Sequence, residues 1–211
     1  MEIDLRDAAP PGLTVFETMR QEADGRIALW PLHVARLRRG CLAVGFPLDE
    51  AAAEAAIPQA SGQVMRNRLA VDATGQVAVT RQPLPPNAPE WRVVISALRL
   101  DSADPWLRIK SSMRATYDAA RAALPDGVDE ALLLNERGEV CEGTITNLFL
   151  RRDGTLLTPP LTCGLLPGVL RQSLLDQGIA RASLLHPEDL ATGDLLIGNA
   201  LRGLIPARLI G

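Results

Sequence analysis

With 211 residues, 47% of them apolar, the chain can fill the core of one large domain or two small ones. A net charge of −3, interspersed acidic and basic residues, and only three Trp, three Phe and one Tyr exclude a nucleic-acid partner. Cys41, Cys141 and Cys163 lack zinc-site spacing, and no apolar run reaches the ~18–20 residues that span a bilayer. A soluble cytoplasmic protein with reduced thiols, no metal and no membrane partner is expected.

In chain order, Met1–Asp7 is acidic and lacks the apolar core of a signal peptide. Leu13–Met19 is rich in β-branched and aromatic residues and predicts a strand. Asp24-Gly25 then turns the chain into a partner strand at Ile27–Trp30. Pro31 suits the first position of a helix running to about Val44. His33, Leu37, Cys41 and Val44 form its stripe, while Arg36, Arg38 and Arg39 fall largely elsewhere, as a solvated face would. On this pattern alone His33 reads as packed rather than as a ligand. Asp49–Ala56 predicts a short Ala-rich helix with Asp49 near its start. Strands at Val64–Val71 and Val77–Thr80 flank a turn at Asp72–Gly75. Gln82–Pro89 holds four prolines in eight residues and suits neither a helix interior nor a central strand. It marks a linker at 85–90 between a small α/β domain, 1–84, and a second domain, 91–211.

The second half opens with a strand at Trp91–Ala97. A further extended segment, Trp106–Lys110, gives way to a helix at about Ser112–Leu124, which sets Lys110 at a strand end. A lysine there is usually exposed. Leu132–Leu134 reads as a buried strand and Asn135–Gly138 as a hairpin turn, after which a return strand carries Glu142 inward before Leu148–Leu150. A carboxylate between two apolar strands is costly unless a cation meets it; the plainer alternative is a surface Glu at a strand end. Leu156-Leu157 is another strand. Pro167 begins a helix of about a dozen residues. Gly168, just before the amides of Val169 and Leu170, is either an ordinary loop glycine or a phosphate cradle. Pro187–Leu190 is a short helix, and Asp194–Ala200 a strand ending in small polar groups, Asn199 and Ala200 among them, a second possible phosphate edge.

A lysine at a strand end, an inward glutamate and two phosphate edges suit pyridoxal 5′-phosphate, which needs an amine, a partner for its ring nitrogen and a phosphate anchor. The motifs then resemble, in order and over nearly the whole chain, those of the class IV aminotransferases. These fold-type IV pyridoxal phosphate enzymes include branched-chain and D-amino acid aminotransferases and 4-amino-4-deoxychorismate lyase. Phe16-Glu17-Thr18 is similar to the family's F-E-T strand, and His33-Val34-Ala35-Arg36-Leu37 to its H-x-x-R-L helix. Asp129-Glu130-Ala131 and Glu142–Phe149 are similar to D-E-A … E-G-x-x-S/T-N-L-F, and Gly164–Arg171 to G-x-L-P-G-x-x-R.

The resemblance implies a two-domain α/β (α+β) fold of the D-amino acid aminotransferase type and a homodimer acting on a small amine or amino acid. It implies Lys110 as the catalytic Schiff-base lysine, its pKa lowered by burial and by the neighbouring cationic cofactor. Arg36 and the amides of Val169 and Leu170, with Gly168, would hold the phosphate; Glu142 would meet the ring nitrogen and Leu166 pack on the ring. Asn199 and Ala200 would also touch the cofactor, and Thr18, Thr144 and Arg114 the substrate. Lys110–Tyr117 is similar to the lyase pattern K-x-x-N-R-x-x-Y, with Met113 in place of Asn, and lacks a tyrosine five residues after the lysine. Gly198–Leu201 is similar to the lyase's N-A/S-L. Both imply 4-amino-4-deoxychorismate lyase, with an aminotransferase or a cofactor-retaining binding protein as alternatives. The family's first strands are cut short here, with Pro11–Val15 in place of its aromatic and Gly-Asp-Gly residues, so the substrate is the least constrained expectation.

Overall fold

The computed structural model describes residues 5–210; of the acidic stretch read as no signal peptide, Met1–Asp4 lie outside it. It is a mixed α+β structure in two compact units. One runs to Pro86 and also takes in Arg108–Met113; the other comprises Asn87–Leu107 and the chain from Arg114 onward. Among the described residues no helix is long and apolar enough to cross a membrane, and no group of three His, Cys, Asp or Glu could hold a metal ion.

In the first unit, β1 (Val15–Gln21) is followed by α1 (Trp30–Val44), α2 (Glu50–Ala55), β2 (Met65–Val71) and β3 (Val77–Pro83). The strands form an antiparallel sheet in the order β1-β2-β3. The expected partner strand at Ile27–Trp30 is therefore not one: Ile27 makes a single bridge to Gln21, and β1 pairs with β2 along its length. The reason is local. Leu29 takes a left-handed conformation (φ 59°) and caps α1, so Trp30 already belongs to the helix. The apolar stripe of α1 packs on β1, and Gly40 allows the approach, since a Cβ there would lie 2.8 Å from Val15 Cγ1. Asp49 caps α2 by accepting from the Ala52 N–H at 3.0 Å.

The second unit contains β4 (Trp91–Leu100), α3 (Ala115–Ala122), β5 (Glu130–Asn135), β6 (Val140–Gly143), β7 (Asn147–Arg152) and β8 (Thr155–Thr158). Then come α4 (Val169–Asp176), β9 (Ala180–Ala182), β10 (Asp194–Asn199) and β11 (Gly203–Leu209). Its eight strands run β10-β11-β4-β5-β6-β7-β8-β9, and β10 also pairs with β7, so the sheet closes on itself. Alternation along β5 sorts its side chains: Leu132 and Leu134 join a core with Leu148, Leu150, Ile197 and Ile205. Ala131 and Leu133 face the other way, toward Tyr117 and Ala120 of α3.

The segment before Lys110 is not the strand its residues suggest. Asp104 accepts from the Trp106 N–H at 2.9 Å and starts a 3₁₀ turn, Pro105–Arg108, which Pro105 suits by lacking an N–H. The helix after it begins at Ala115 and spans eight residues, and α4 is likewise eight residues rather than a dozen. Strands β9 and β11 have no counterpart in the sequence reading.

Candidate active site

Within the first unit, alternation along β1 turns Val15, Glu17, Met19 and Gln21 toward α1, all buried, and leaves Phe16 and Thr18 on the opposite face. Glu17, 1% exposed, accepts from Arg36 Nε at 2.7 Å and from Arg36 Nη2 at 2.6 Å, and faces His33 Nδ1 at 2.7 Å. Burial alone would push the Glu17 carboxyl up. The charge and hydrogen bonds of Arg36, with those of His33, outweigh it and hold the carboxyl at about 2. Arg36 is thus buried beside an anion and set apart from Arg38 and Arg39, which are exposed as the solvated face expected. His33 Nε2 is buried with no hydrogen-bond partner. Lys110 comes to the same unit because its carbonyl accepts from the Phe16 N–H at 2.9 Å. Its amine lies 4.9 Å from the centroid of the Phe16 ring, over which Arg68 also stacks at 4.1 Å. Thr18 pairs with Arg68 across the sheet.

In the second unit the placement of Glu142 depends on a β-bulge. Val140 pairs with Leu134, but Glu142 pairs with Leu133, so two steps on β6 match one on β5. Without the extra residue Glu142 would share the face of Val140 and enter the apolar core; with it, Glu142 shares the face of Leu133 and meets α3. There the Tyr117 hydroxyl donates to Glu142 Oε1 at 2.7 Å, the Leu166 N–H to the same oxygen at 2.9 Å, and Asn147 Nδ2 to Oε2 at 3.1 Å. Asn147 Nδ2 also reaches the Leu166 carbonyl at 3.1 Å. The turn before α4 is therefore tied to the glutamate through its backbone. Burial first, and then the charge of Glu142 and its hydrogen bond, push the Tyr117 phenol far above its ordinary value. Burial lowers Arg171, which the Glu142 charge partly offsets; its guanidinium donates to the Pro159 carbonyl at 2.7 Å.

Gly168 caps α4 with no side-chain hydrogen bond, and a Cβ there would overlap Asn147 Oδ1. The first-turn amides of Val169 and Leu170 follow it, without intrahelical acceptors by the geometry of any helix start. Asn199 spends its side chain on structure. Oδ1 accepts from the Leu201 and Arg202 amides, and Nδ2 donates to the Ile145 carbonyl at 3.0 Å; Ala200 lies in that turn. Thr144 is held too. Its N–H and hydroxyl bond Glu130, its hydroxyl accepts from Arg121 at 3.1 Å and its carbonyl from Arg114 at 2.7 Å.

Among the expected site residues, then, Lys110, Arg36 and Thr18 fall in the first unit, and Glu142, Leu166, Gly168, Val169, Leu170, Asn199, Ala200, Thr144 and Arg114 in the second. Glu17, Tyr117, Asn147 and Glu130 were given no role by sequence reasoning. Glu130 is fully buried and takes hydrogen bonds from Thr144, Ile145 and Thr146, which fastens the loop after Glu142. The available signal was their presence inside the quoted motifs.

A family model described as amino-transferase class IV matches residues 14–210. A protein of Schizosaccharomyces pombe, provisionally named an aminodeoxychorismate lyase, is 28% identical over 208 residues, covering 93% of this chain and 89% of its own. One from Thermotoga maritima, provisionally named a branched-chain-amino-acid aminotransferase, is 29% identical over 174 residues. That match covers 76% of this chain and 62% of the relative. A crystal structure from Mesorhizobium loti, provisionally named an amino-acid aminotransferase, superposes with a TM-score of 0.88 at 40% identity, over 94% of this chain and 100% of that one.

Proposed function

The chain belongs to the class IV aminotransferases, a family of pyridoxal phosphate enzymes, and on that premise we propose that it releases pyruvate from 4-amino-4-deoxychorismate. The observation that carries the cofactor half of this reading is the buried Glu142, with three hydrogen-bond donors converging on its two oxygens. That pattern suits an ionised carboxylate, and an ionised carboxylate is the partner a protonated ring nitrogen needs. Lys110 would hold the cofactor covalently, and Arg36 with the Val169 and Leu170 amides would take its phosphate. When bound, pyridoxal phosphate supplies an electron sink for the carbanion left by breaking a C–H bond. Lys110 Nζ would take the proton from the substrate carbon that bears the reacting amine. Cleavage of the neighbouring C–O bond would release enolpyruvate, which gains a proton to become pyruvate, and would leave the substrate's own six-membered ring aromatic as 4-aminobenzoate.

Ala115, not tyrosine, stands five residues after Lys110, and Asn199-Ala200-Leu201 closes β10; both support the lyase over a branched-chain enzyme. Amino-acid transamination is the second reading, favoured by the 40% identity to the Mesorhizobium loti protein. The test is a coupled pyruvate assay with aminodeoxychorismate, run beside a panel of amino donors and keto acids. Pyruvate release without keto acid supports the lyase. Bleaching by leucine or D-alanine with recovery on keto acid replaces it with the transaminase. Bound cofactor with neither activity leaves a binding protein. A homodimer in the cytoplasm is proposed alongside, checked by light scattering on the purified protein.

A further inference from the structure

The phenol of Tyr117 is built into the second unit as if its direction mattered. Its ring is fixed among Leu100, Leu107, Leu133, Cys141 and Leu165, with Arg114 stacked 5.1 Å away. Tyr117 is 8% exposed and Glu142 is 4% exposed, so neither group can exchange its partner for bulk water. Burial and the Glu142 charge oppose ionisation of the hydroxyl, which keeps it a donor to Glu142. It shares Glu142 Oε1 with the Leu166 N–H, whereas Oε2 receives Asn147.

We propose that Tyr117 is a positioning residue whose hydroxyl withdraws charge from Glu142 and so leaves the proton of the Glu142–cofactor contact on the ring nitrogen. The inference rests on the reading of Glu142 as the partner of that nitrogen. A carboxylate that already accepts two strong hydrogen bonds on one oxygen competes less well for a further proton. With the hydroxyl gone, Glu142 draws the proton toward itself and the ring loses part of its positive charge. The lysine–cofactor linkage then becomes more basic. Charged or titratable groups beside this pair include Arg114 over the phenol, Arg171 on α4, which feels the Glu142 charge, and the buried Cys141 thiol on β6.

Tyr117 is the single tyrosine of the chain, which permits a test in both directions. The full-length protein is loaded with pyridoxal phosphate and its visible absorption is titrated with pH. Three forms accompany the wild type: Tyr117→Phe, Glu142→Gln, and wild-type sequence grown on 3-fluorotyrosine, which labels this site alone. Tyr117→Phe should raise the titration midpoint by on the order of one pH unit. Fluorination, which makes the phenol a stronger donor while keeping its shape, should lower it. The fluorine NMR signal of the labelled protein should also move on cofactor loading. Midpoints that stay put in both forms, while Glu142→Gln moves its own, overturn the role of Tyr117 and spare that of Glu142. A midpoint unmoved by Glu142→Gln overturns both. Where Tyr117→Phe fails to fold, the fluorinated protein decides by itself: a lowered midpoint supports the proposal and an unchanged one overturns it.

Discussion

Glu17 on β1 and Arg36 on α1 form a doubly hydrogen-bonded ion pair that is almost wholly out of water. Such a pair contributes little net stability against an apolar isostere, yet removing one partner leaves an uncompensated buried charge at a cost of about 3–5 kcal/mol. Its presence where two apolar residues would serve is what marks it as more than packing. The acid half has a pH signature. The folded carboxyl stands at about 2 against an ordinary value of 4.5, so its contribution is complete above 4.5 and fades as pH falls toward 2. The shift corresponds to about 3 kcal/mol. Urea unfolding at pH 7 should therefore show Glu17→Gln destabilised by about 3 kcal/mol or more, with the gap to wild type narrowing between pH 4.5 and 2. A gap independent of pH would mean that Arg36 draws its compensation elsewhere. The H-x-x-R spacing singles out Arg36 in the sequence, but its partner lies 19 residues earlier on another element, and only β1 packing against α1 brings the two together.

At the level of elements, what could be read ahead was governed by short-range periodicity, and what could not was governed by register. The stripe of α1, the Asp49 cap and the turn at Gly138 (φ 77°) all follow from neighbours in sequence. The bulge in β6 does not. Counting alternate residues from Val140 puts Glu142 in the apolar core, and only the pairing with Leu133 corrects it. Likewise the 3₁₀ turn before Lys110 overrides an apolar run that looks extended. The turn at Gly168 is a position where backbone and side chain share one space. Alanine there would displace Asn147, whose amide bonds both Glu142 and the Leu166 carbonyl. Gly168→Ala should cost roughly 1–3 kcal/mol in thermal unfolding and weaken retention of pyridoxal phosphate on dialysis, even though its own φ of −64° suits alanine. Unchanged stability would show that Asn147 can move aside without loss.

Over the whole molecule, the second unit depends on a strand that its residues conceal. Gly203–Leu209 contains Pro206, which argues against a place inside a sheet. The pairing resolves this. β11 lies beside β10 through residues 203–206 and beside β4 through 207–209, so Pro206 stands at the changeover, the last residue of β11 paired with β10. With β11 in place β10 is joined to β4, and with β10 also on β7 the sheet has no gap along that side. Ile205, 1% exposed, reaches from β11 into the core with Trp91, Leu148 and Ile197. Ile205→Ala should thus lower the unfolding free energy by roughly 2–5 kcal/mol, as for a central core residue. A strand merely laid on the outside would give well under 1 kcal/mol, because its side chain would leave no cavity. Because β10 ends in the Asn199 turn that holds the Ile145 carbonyl, the same substitution should also speed cofactor loss, while Leu42→Ala at an exposed position of α1 should alter neither. Hydrogen exchange read on the β10 amides separates the cases: faster exchange there with intact α1 protection means that β11 closes the sheet, and equal protection throughout means that it does not.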